Sequence, residues 1–511
     1  MIKQEIKTYE EAVEYLLNIP RFTKKNSMED TKAFLGRLGN PDKQLRIIHV
    51  AGTNGKGSVC AYLRYVLEEA GYRVCSFTSP HLVDMRERFL IRGEMVSKEA
   101  FLQAFRVIYD MIPWEMLCSE DACHEGEKIS SEDAFHEEKK LSWKDAFNEE
   151  GKLPEGFYHP TFFEYLFFMA MVLFREARPD YCILETGLGG RLDATNAVAK
   201  KELAVITRIS LDHMEYLGDT AVKIAGEKAG IIAPGTPVIY LDDEKSVSAV
   251  FDERAKKLGA KPSPVSTSDY ELIKFQNKII DFSLLTRYYK DISVTLHTAA
   301  LYQMENAALA VRAIEELDQG RTITAKQVID GLGKCFWPGR MEEIAADVFV
   351  DGAHNADGVR AFLESVKADG WQGKRTLVFS AVKDKQFDVM LGEIMASKLF
   401  SKLSLVPIHS GRATDLGTLV ELAKQLRGRL AGSASEEKED KPLPEGKAAG
   451  NALDEKAGKS LPEIGTYDGV RTAMEELLRI KRGDERIYVA GSLYLVGEVK
   501  ASLGVLKDDQ F

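Results

Sequence analysis

Short hydrophobic runs rich in valine and isoleucine alternate along the chain with longer segments whose apolar residues recur at helical spacing. This alternation predicts buried parallel strands covered by helices, which is the α/β class. Ligands of open parallel sheets bind at the carboxyl ends of the strands, so the loops that follow these runs are the first places to search for a site. The runs fall at 45–50, 73–77, 181–185, 203–209 and 237–241, and later at 348–352, 376–382, 403–408 and 486–491.

The strand rhythm stops at a long helical pattern, 298–320, and begins again after the stretch FWPGRMEE, 336–343. A chain of 511 residues is too long for one core, so we predict two domains, residues 1–336 and 337–511. Two charged stretches look like insertions: an approximate acidic repeat at 119–154 and a second stretch at 435–463. Neither can bury much apolar surface, so we expect both to be exposed and mobile.

Composition narrows the classes of protein that this chain can be. Hydrophobic residues make up 45% and charged residues 29%, which is typical of a soluble globular protein. The net charge of −11 argues against a nucleic-acid partner held on a basic surface. The start of the chain lacks a signal-peptide core, and the most apolar stretch, 162–174, is too short to span a bilayer. The six cysteines are scattered along the chain, so we expect free thiols in a reducing compartment. We therefore expect a cytoplasmic protein without a membrane partner.

A glycine-rich loop lies between the first buried run and a helical pattern. Its residues are Gly52, Thr53, Asn54, Gly55, Lys56, Gly57 and Ser58. Glycines let backbone N–H groups converge on an anion, and the helix N-terminus adds its positive end. Lys56 would add a full charge for the outer phosphates, and the Ser58 hydroxyl could reach a magnesium ion. Gly57 breaks the strict phosphate-loop pattern, so a simple turn without a ligand stays open on the loop alone.

Other chemically interesting residues also follow predicted strands. Glu185 ends a buried run before a second glycine loop, where it could hold a hard cation or merely cap the next turn. Ser79 lies in TSPHL, and His213 in LDHMEYLG, where it could be a metal ligand or a core histidine. Lys228 stands beside Glu227 in an otherwise apolar helix, where a surface lysine is the ordinary interpretation. The last group is divided between the two predicted domains and contains Asn306, Arg340, Asp351 and His354.

Taken together, these motifs resemble those of one enzyme family. GTNGKGS, TSPHL, ETGLGGRLDATN, LDHMEYLG, AGEKAG, PGRME and DGAHN occur here in the order found in folylpolyglutamate synthases. That family includes the bifunctional dihydrofolate synthases and belongs to the Mur ligase superfamily. The resemblance covers most of the chain apart from the two insertions, and the shortened phosphate loop is the family's own variant.

The resemblance implies an N-terminal ATPase-like domain with a parallel-rich sheet, a C-terminal Rossmann-like domain, and ATP between them. It assigns the phosphates to Lys56 and the loop 52–58. It places Mg²⁺ at two sites, one at Ser58 and the other at Ser79, Glu185 and His213. It makes Lys228 a candidate for carbamylation and lists Lys56, Glu185, His213 and Lys228 as catalytic. Asn306, Arg340 and Asp351 would contact the nucleotide, with His354 nearby.

The activity implied by the resemblance is an ATP-dependent ligase that adds L-glutamate to the γ-carboxylate of a folate. ATP would phosphorylate that carboxylate, and the glutamate amine would then attack the acyl phosphate. Dihydropteroate is a possible further substrate, which would make the enzyme bifunctional within folate biosynthesis and one-carbon metabolism. The family leads us to expect a monomer with small-molecule partners only.

Three alternatives stay open at this stage. Another Mur-type amide ligase would act on a cell-wall nucleotide precursor, but such enzymes usually carry an additional N-terminal domain, and about 44 residues precede the first strand here. A P-loop kinase would not need PGRME and DGAHN in the second domain. A non-catalytic nucleotide-binding scaffold would not need both Lys56 and Glu185.

Overall fold

The computed structural model describes residues 5–19, 26–114, 158–436 and 460–504. Within these ranges the strands are β1 (Ile47–Ala51), β2 (Val74–Phe77), β3 (Phe89–Ile91), β4 (Glu94–Met95), β5 (Tyr181–Glu185), β6 (Leu203–Ile206), β7 (Val238–Leu241), β8 (Pro262–Val265), β9 (Tyr270–Gln276), β10 (Ile279–Leu285), β11 (Asp291–Leu296), β12 (Glu342–Ala345), β13 (Val348–Val350), β14 (Lys374–Phe379), β15 (Lys402–Leu405), β16 (Glu463–Thr466) and β17 (Glu485–Ala490). The helices are α1 (Tyr9–Asn18), α2 (Met28–Arg37), α3 (Lys56–Glu69), α4 (Lys98–Asp110), α5 (Phe162–Ala177), α6 (Met214–Leu217), α7 (Ala221–Lys228), α8 (Lys245–Leu258), α9 (Gln303–Asp318), α10 (Ala325–Lys334), α11 (Ala356–Ala368), α12 (Phe387–Ser397), α13 (Leu416–Glu436), α14 (Val470–Ile480) and α15 (Leu493–Ser502).

The described part of the chain contains one large sheet of eight strands in the order β4-β3-β2-β5-β1-β6-β7-β8. The neighbours in the run β2-β5-β1-β6-β7-β8 all pair in parallel. The strands β3 and β4 add an antiparallel edge beside β2. Alternate residues of β1 face opposite layers. Ile47 packs with a cluster that contains residues of α4 and α5, whereas Ile48 and Val50 pack with residues of α3 and α9. Burial on both faces explains why these strands read as continuous apolar runs.

A second sheet has the order β12-β13-β17-β14-β15-β16 within the described residues. All neighbours pair in parallel except β12 and β13. Helices cover both faces, with α11 and α12 in one core cluster and α14 and α15 in another. The predicted α/β class with parallel-rich sheets is therefore confirmed.

A three-stranded antiparallel sheet, β11-β10-β9, was not predicted. Two of its strands bury every second residue: β10 buries Ile280, Phe282 and Leu284, and the residues of β11 alternate strictly between exposed and buried. A search for continuous valine- and isoleucine-rich runs overlooks such alternation. Phe275 on β9 packs against core residues from both larger sheets, so this small sheet lies beside both.

Several other expectations can be compared with the structure. The apolar stretch 162–174 lies in α5, and no helix in the described ranges has the length and apolarity needed to cross a bilayer. Cys60, Cys75, Cys182 and Cys335 are free thiols, as predicted, whereas Cys118 and Cys123 fall outside the described residues. The repeat at 119–154 and most of the stretch 435–463 also fall outside them. The two larger sheets use separate parts of the chain, on either side of residue 336, and the division into domains there stays a prediction.

Candidate functional site

The carboxyl ends of strands from both larger sheets surround a cavity of about 1080 Å³. Its walls include loops that follow β1, β2, β5 and β6 of the large sheet, and β13, β14 and β17 of the second. Every residue predicted for the site lines this cavity: Gly52, Thr53, Asn54, Gly55, Lys56, Gly57, Ser58, Ser79, Glu185, His213, Lys228, Asn306, Arg340, Asp351 and His354. The structure thus brings the predicted residues together, while the role of each stays a prediction.

The glycine-rich loop begins directly after β1, and α3 begins at Lys56. Gly55 has a φ of 91°, a left-handed conformation that favours glycine, and it approaches α9 closely. A Cβ atom on Gly55 would lie 2.2 Å from Oδ1 of Asn306. A side chain at this position would therefore push the loop away from α9.

Arg208, which follows β6, fixes the backbone of the glycine-rich loop. Its carbonyl oxygen accepts hydrogen bonds from the backbone amides of Thr53 (2.8 Å) and Asn54 (3.3 Å). Its guanidinium donates hydrogen bonds to the carboxylates of Glu305 and Asp243. Two loop amides are thus already used within the chain. The amides of the first turn of α3, which have no acceptor within the helix, are the better candidates for holding an anion.

Two lysine side chains converge on the carbonyl oxygen of Gly52. Nζ of Lys56 donates to it at 3.2 Å, and Nζ of Lys228 donates to it at 2.6 Å. Lys228 is buried, so the expectation of an ordinary surface lysine is wrong. Burial, assisted by the charge of Lys56, lowers the pKa of Lys228 to about 7. A considerable fraction of Lys228 is therefore a neutral amine near pH 7.

Glu185 and Ser58 offer oxygen atoms to the same part of the cavity. The Glu185 carboxylate is buried and accepts a hydrogen bond from the backbone amide of Ser79 at 3.0 Å. Burial raises the pKa of Glu185, and the charge of Lys56 opposes that shift. The hydroxyl of Ser58 is buried and has no hydrogen-bond partner among the residues that the structure describes. A buried carboxylate together with an unpartnered hydroxyl fits a hard cation such as Mg²⁺.

The histidine predicted to assist this cation lies in a cluster of charges. Nε2 of His213 is 3.2 Å from Nζ of Lys385, and burial lowers the pKa of His213 to about 4. No group of three or more His, Cys, Asp and Glu side chains suited to a metal ion occurs among the described residues. In this arrangement Lys385 occupies the neighbourhood of Nε2, so a metal bond from that atom would require Lys385 to move.

Asp212 and Lys385 form the centre of that cluster. Oδ1 of Asp212 accepts a hydrogen bond from Nζ of Lys385 at 2.5 Å, and Oδ2 accepts one from Nδ2 of Asn355 at 3.2 Å. Burial alone would raise the pKa of Asp212, but Lys385 holds it well below its usual range. The imidazole of His354 lies 3.7 Å from the same carboxylate. Nδ1 of His354 must donate to the carbonyl of Gly352, because a carbonyl can only accept.

The residues predicted on the nucleotide side fix one another's positions. Asp351 is buried, and its carboxylate accepts hydrogen bonds from the Tyr302 hydroxyl (2.6 Å) and the Met341 amide (2.9 Å). Burial raises the pKa of Asp351. Arg340 follows Gly339, whose carbonyl it contacts at 2.9 Å. Asp351 thus holds together the start of α9 and the segment around Arg340.

At the other end the cavity becomes more aromatic. Phe162, Phe163 and Glu164 of α5 line it together with Asn26 and Thr31. Glu164 is buried and accepts hydrogen bonds from the Asn26 side chain (2.7 Å) and the Thr31 hydroxyl (3.2 Å). A flat, apolar ligand that carries some polar groups would suit this end of the cavity.

Sequence reasoning missed Arg208, Asp212, Lys385, Asn355 and Tyr302, all of which line the cavity or touch the predicted residues. Asp212 stands inside the LDHMEYLG motif, directly before the predicted metal ligand His213. Lys385 follows the run 376–382, and a charged residue just after a predicted parallel strand was a usable signal. The pairing of Asp212 with Lys385 had no sequence signal, because the two lie 173 positions apart.

Comparisons with known proteins point in one direction. Residues 159–314 match the model of the Mur ligase middle domain. A dihydrofolate synthase/folylpolyglutamate synthase of Bacillus subtilis is 33% identical over 395 residues, which is 75% of this chain and 82% of that protein. A dihydrofolate synthetase of Saccharomyces cerevisiae is 31% identical and covers 71% of this chain and 77% of its own.

Solved structures agree with the sequence relatives. A folylpolyglutamate synthase of Thermotoga maritima has a TM-score of 0.71 at 25% identity, covering 97% of this chain and 96% of its own. The FolC protein of E. coli, solved in complex with DHPP and ADP, has a TM-score of 0.73 at 24% identity, covering 98% of each chain. At that identity the second likeness shows the fold alone.

Proposed function

We propose a reaction for this chain from the premise that it belongs to the folylpolyglutamate synthase and dihydrofolate synthase family. The chain is an ATP-dependent ligase that joins L-glutamate to a folate. Our proposal concerns how this chain performs the reaction. One observation supports this proposal: a phosphate-type loop, a buried carboxylate, buried lysines and aromatic side chains all line the same cavity.

ATP would lie between the two larger sheets, with its phosphates at the start of α3. Lys56 and the first amides of α3 would hold the outer phosphates. Lys56 now donates to carbonyl oxygens of its own loop, so it can turn to a phosphate without leaving a buried charge unpaired. Arg340, Asn306 and Asp351 line the same cavity and would contact the rest of the nucleotide.

Mg²⁺ would bind between the phosphates and the oxygen atoms of Ser58 and Glu185. The unpartnered Ser58 hydroxyl and the buried Glu185 carboxylate match the ligands that this ion prefers. When bound, the ion would neutralise phosphate charge during transfer. A second ion at Ser79, Glu185 and His213 belongs to the same proposal, and it would require Lys385 to leave His213.

The folate would enter with its ring system at the aromatic end, near Phe163, and its carboxylate near Lys56. The γ-phosphoryl group passes from ATP to that carboxylate, which forms an acyl phosphate and ADP. The amine of glutamate then attacks the acyl carbon, the bond to phosphate breaks, and an amide and inorganic phosphate result. Lys56 and the helix N-terminus would stabilise the charge that develops on the oxygens.

Lys228 would carry a carbamate in the active enzyme, a carboxylate-like group able to support the metal. Its neutral amine can add CO₂ with loss of one proton, and the pKa of about 7 makes that amine available. A carbamate at this position would place a negative charge beside Lys56, where the Nζ atoms of both lysines now donate to the Gly52 carbonyl. The Lys56 ammonium would then have an opposite charge as its neighbour.

The test is ADP release by the purified protein with ATP, Mg²⁺ and glutamate, adding tetrahydrofolate and dihydropteroate in turn, with mass spectrometry of the product. We expect ADP release that requires both glutamate and a pterin, with one glutamate added to the product. The pterin accepted decides between one activity and two. Lys56→Ala should abolish the reaction while the protein stays folded. ADP release that needs no glutamate, with a phosphorylated product, would favour a kinase instead.

A further inference from the structure

Asp212 is the carboxylate on which loops from both larger sheets meet. It follows β6 of the eight-stranded sheet and is buried. Its side-chain partners come from the second sheet: Lys385 from the loop after β14, and Asn355 and His354 from the loop after β13. Among these contacts the hydrogen bond to Lys385, at 2.5 Å, is the shortest.

The phosphate loop is tied to the same place by polar contacts. Nδ2 of Asn54 donates to Oδ1 of Asn355 at 3.1 Å and to Oδ2 of Asp357 at 2.8 Å. Nδ2 of Asn355 in turn donates to Oδ1 of Asn54 at 3.0 Å and to Asp212 at 3.2 Å. One connected network thus joins the loop after β1, the loop after β6 and two loops of the second sheet.

The energetics of this network depend on how close the two sheets are. Asp212 and Lys385 are both more than nine-tenths buried, and each is the opposite charge that the other contacts most closely. A buried charge that loses its partner is strongly unfavourable, whereas water can stabilise both charges once the sheets separate. Removing one partner therefore disfavours the arrangement in which the two strand edges meet around the cavity, because the remaining charge would stay buried without its partner.

We propose that Asp212 and Lys385 are positioning residues that hold the two sheets together around the reacting groups and so exclude water from the acyl phosphate. This inference rests on the proposed ligase reaction. When the pair is broken, water can attack the acyl carbon in place of glutamate. The bond to phosphate then breaks, and the original carboxylate and inorganic phosphate are released, so ATP is consumed without amide formation.

The first test compares ADP released with amide formed. The wild-type protein should release one ADP for each amide. Asp212→Asn and Lys385→Met should each lower the rate of amide formation by at least about 100-fold. They should also raise the ratio of ADP to amide above one. A slow variant that keeps the ratio at one would overturn the proposal, because a merely structural defect slows both products equally.

Matched controls are available a few positions away. Lys383 is exposed in the same loop as Lys385, and Glu215 is exposed three residues after Asp212. Lys383→Met and Glu215→Gln remove the same charges without touching the network, and they should keep the wild-type rate and ratio. The double variant Asp212→Asn/Lys385→Met leaves neither charge unpaired. It should be no slower than the slower single variant, and rates that fall multiplicatively would contradict coupling.

The second test does not depend on activity. Small-angle X-ray scattering with saturating ADP should give a larger radius of gyration for Lys385→Met than for the wild type and for Lys383→Met. Equal radii in all three would overturn the role in holding the sheets together, even if ligation is impaired. Conversely, a wild-type protein that forms no amide while the variant still opens would refute the proposed reaction and leave this contact standing.

Discussion

Gly55→Ala offers a sharp test of the glycine-rich loop, because the same helix supplies a matched control. Gly55, just before α3, has a φ of 91°, and Gly71, just after it, has a φ of 89°. A Cβ atom on Gly55 would lie 2.2 Å from Oδ1 of Asn306, whereas one on Gly71 would have no atom of the described residues within 4 Å. The two substitutions therefore share the backbone strain and differ only in the contact.

The magnitudes follow from this geometry. Either alanine in a left-handed conformation should lower the free energy of unfolding by about 1–2 kcal/mol. For Gly55→Ala the gap must also open by about 1.2 Å to reach the 3.4 Å of ordinary van der Waals contact. Asn306 cannot retreat without losing its hydrogen bond to Gln303, which adds about 0.5–1.5 kcal/mol. If the loop moves instead, the phosphate-binding amides move with it.

The assay combines denaturant unfolding with ADP-release kinetics at varied ATP. Gly71→Ala should lose stability but keep the wild-type KM for ATP. Gly55→Ala should lose more stability and raise the KM for ATP by at least about tenfold, which corresponds to about 1.4 kcal/mol. If the two variants show equal stability and equal KM, the reasoning about the loop and Asn306 is refuted.

Three further outcomes are expected. Glu185→Gln keeps the shape of the buried side chain but removes its charge. The rate of ligation should fall by about 100-fold or more, and the binding of Mg²⁺ with ADP should weaken. Wild-type turnover would contradict the metal role. Because the pKa of Lys228 is lowered to about 7, its neutral fraction rises between pH 6 and 8. At equal concentrations of dissolved CO₂, CO₂-depleted protein should therefore be activated faster at pH 8 than at pH 6, and no effect of CO₂ at either pH would argue against a carbamate. Lys201 is buried, and burial lowers its pKa from 10.5 in the unfolded chain to about 7. Between these two pH values the unfolded state binds more protons than the folded state, so the free energy of unfolding rises with pH. Lys201→Met should reduce that slope in urea unfolding, and a slope identical to that of the wild type would show that burial does not shift Lys201.

Sequence alone predicted the elements whose signals are local. Strands β1, β5 and β6 are continuous apolar runs because both faces of their sheet are buried. The loop after β1 is recognisable in the sequence from its glycines and Lys56. The antiparallel strands β10 and β11 instead bury every second residue, a period of two that continuous apolar runs do not show.

The unpredicted parts of the site depend on contacts between distant positions. The ion pair of Arg208 and Glu305 joins residues 97 positions apart, and only the folded chain shows that it supports the loop amides. Lys228 was expected at the surface because lysine side chains are ordinarily exposed, yet its contact with the Gly52 carbonyl places it in the interior. Burial of a single polar side chain is decided by tertiary packing, which periodicity does not report.

The hold of Arg208 on the glycine-rich loop has a consequence for the speed of nucleotide binding. Two amides of the loop and the carbonyl of Asn54 already have partners, the last being the Thr207 hydroxyl at 2.6 Å. A loop fixed in this way loses little conformational entropy when a ligand arrives. We therefore expect nucleotide to associate in a single fast phase. Arg208→Ala keeps the carbonyl that accepts from the loop but removes its anchoring by Glu305 and Asp243, so it should introduce a slower, concentration-independent phase as the loop orders after the encounter.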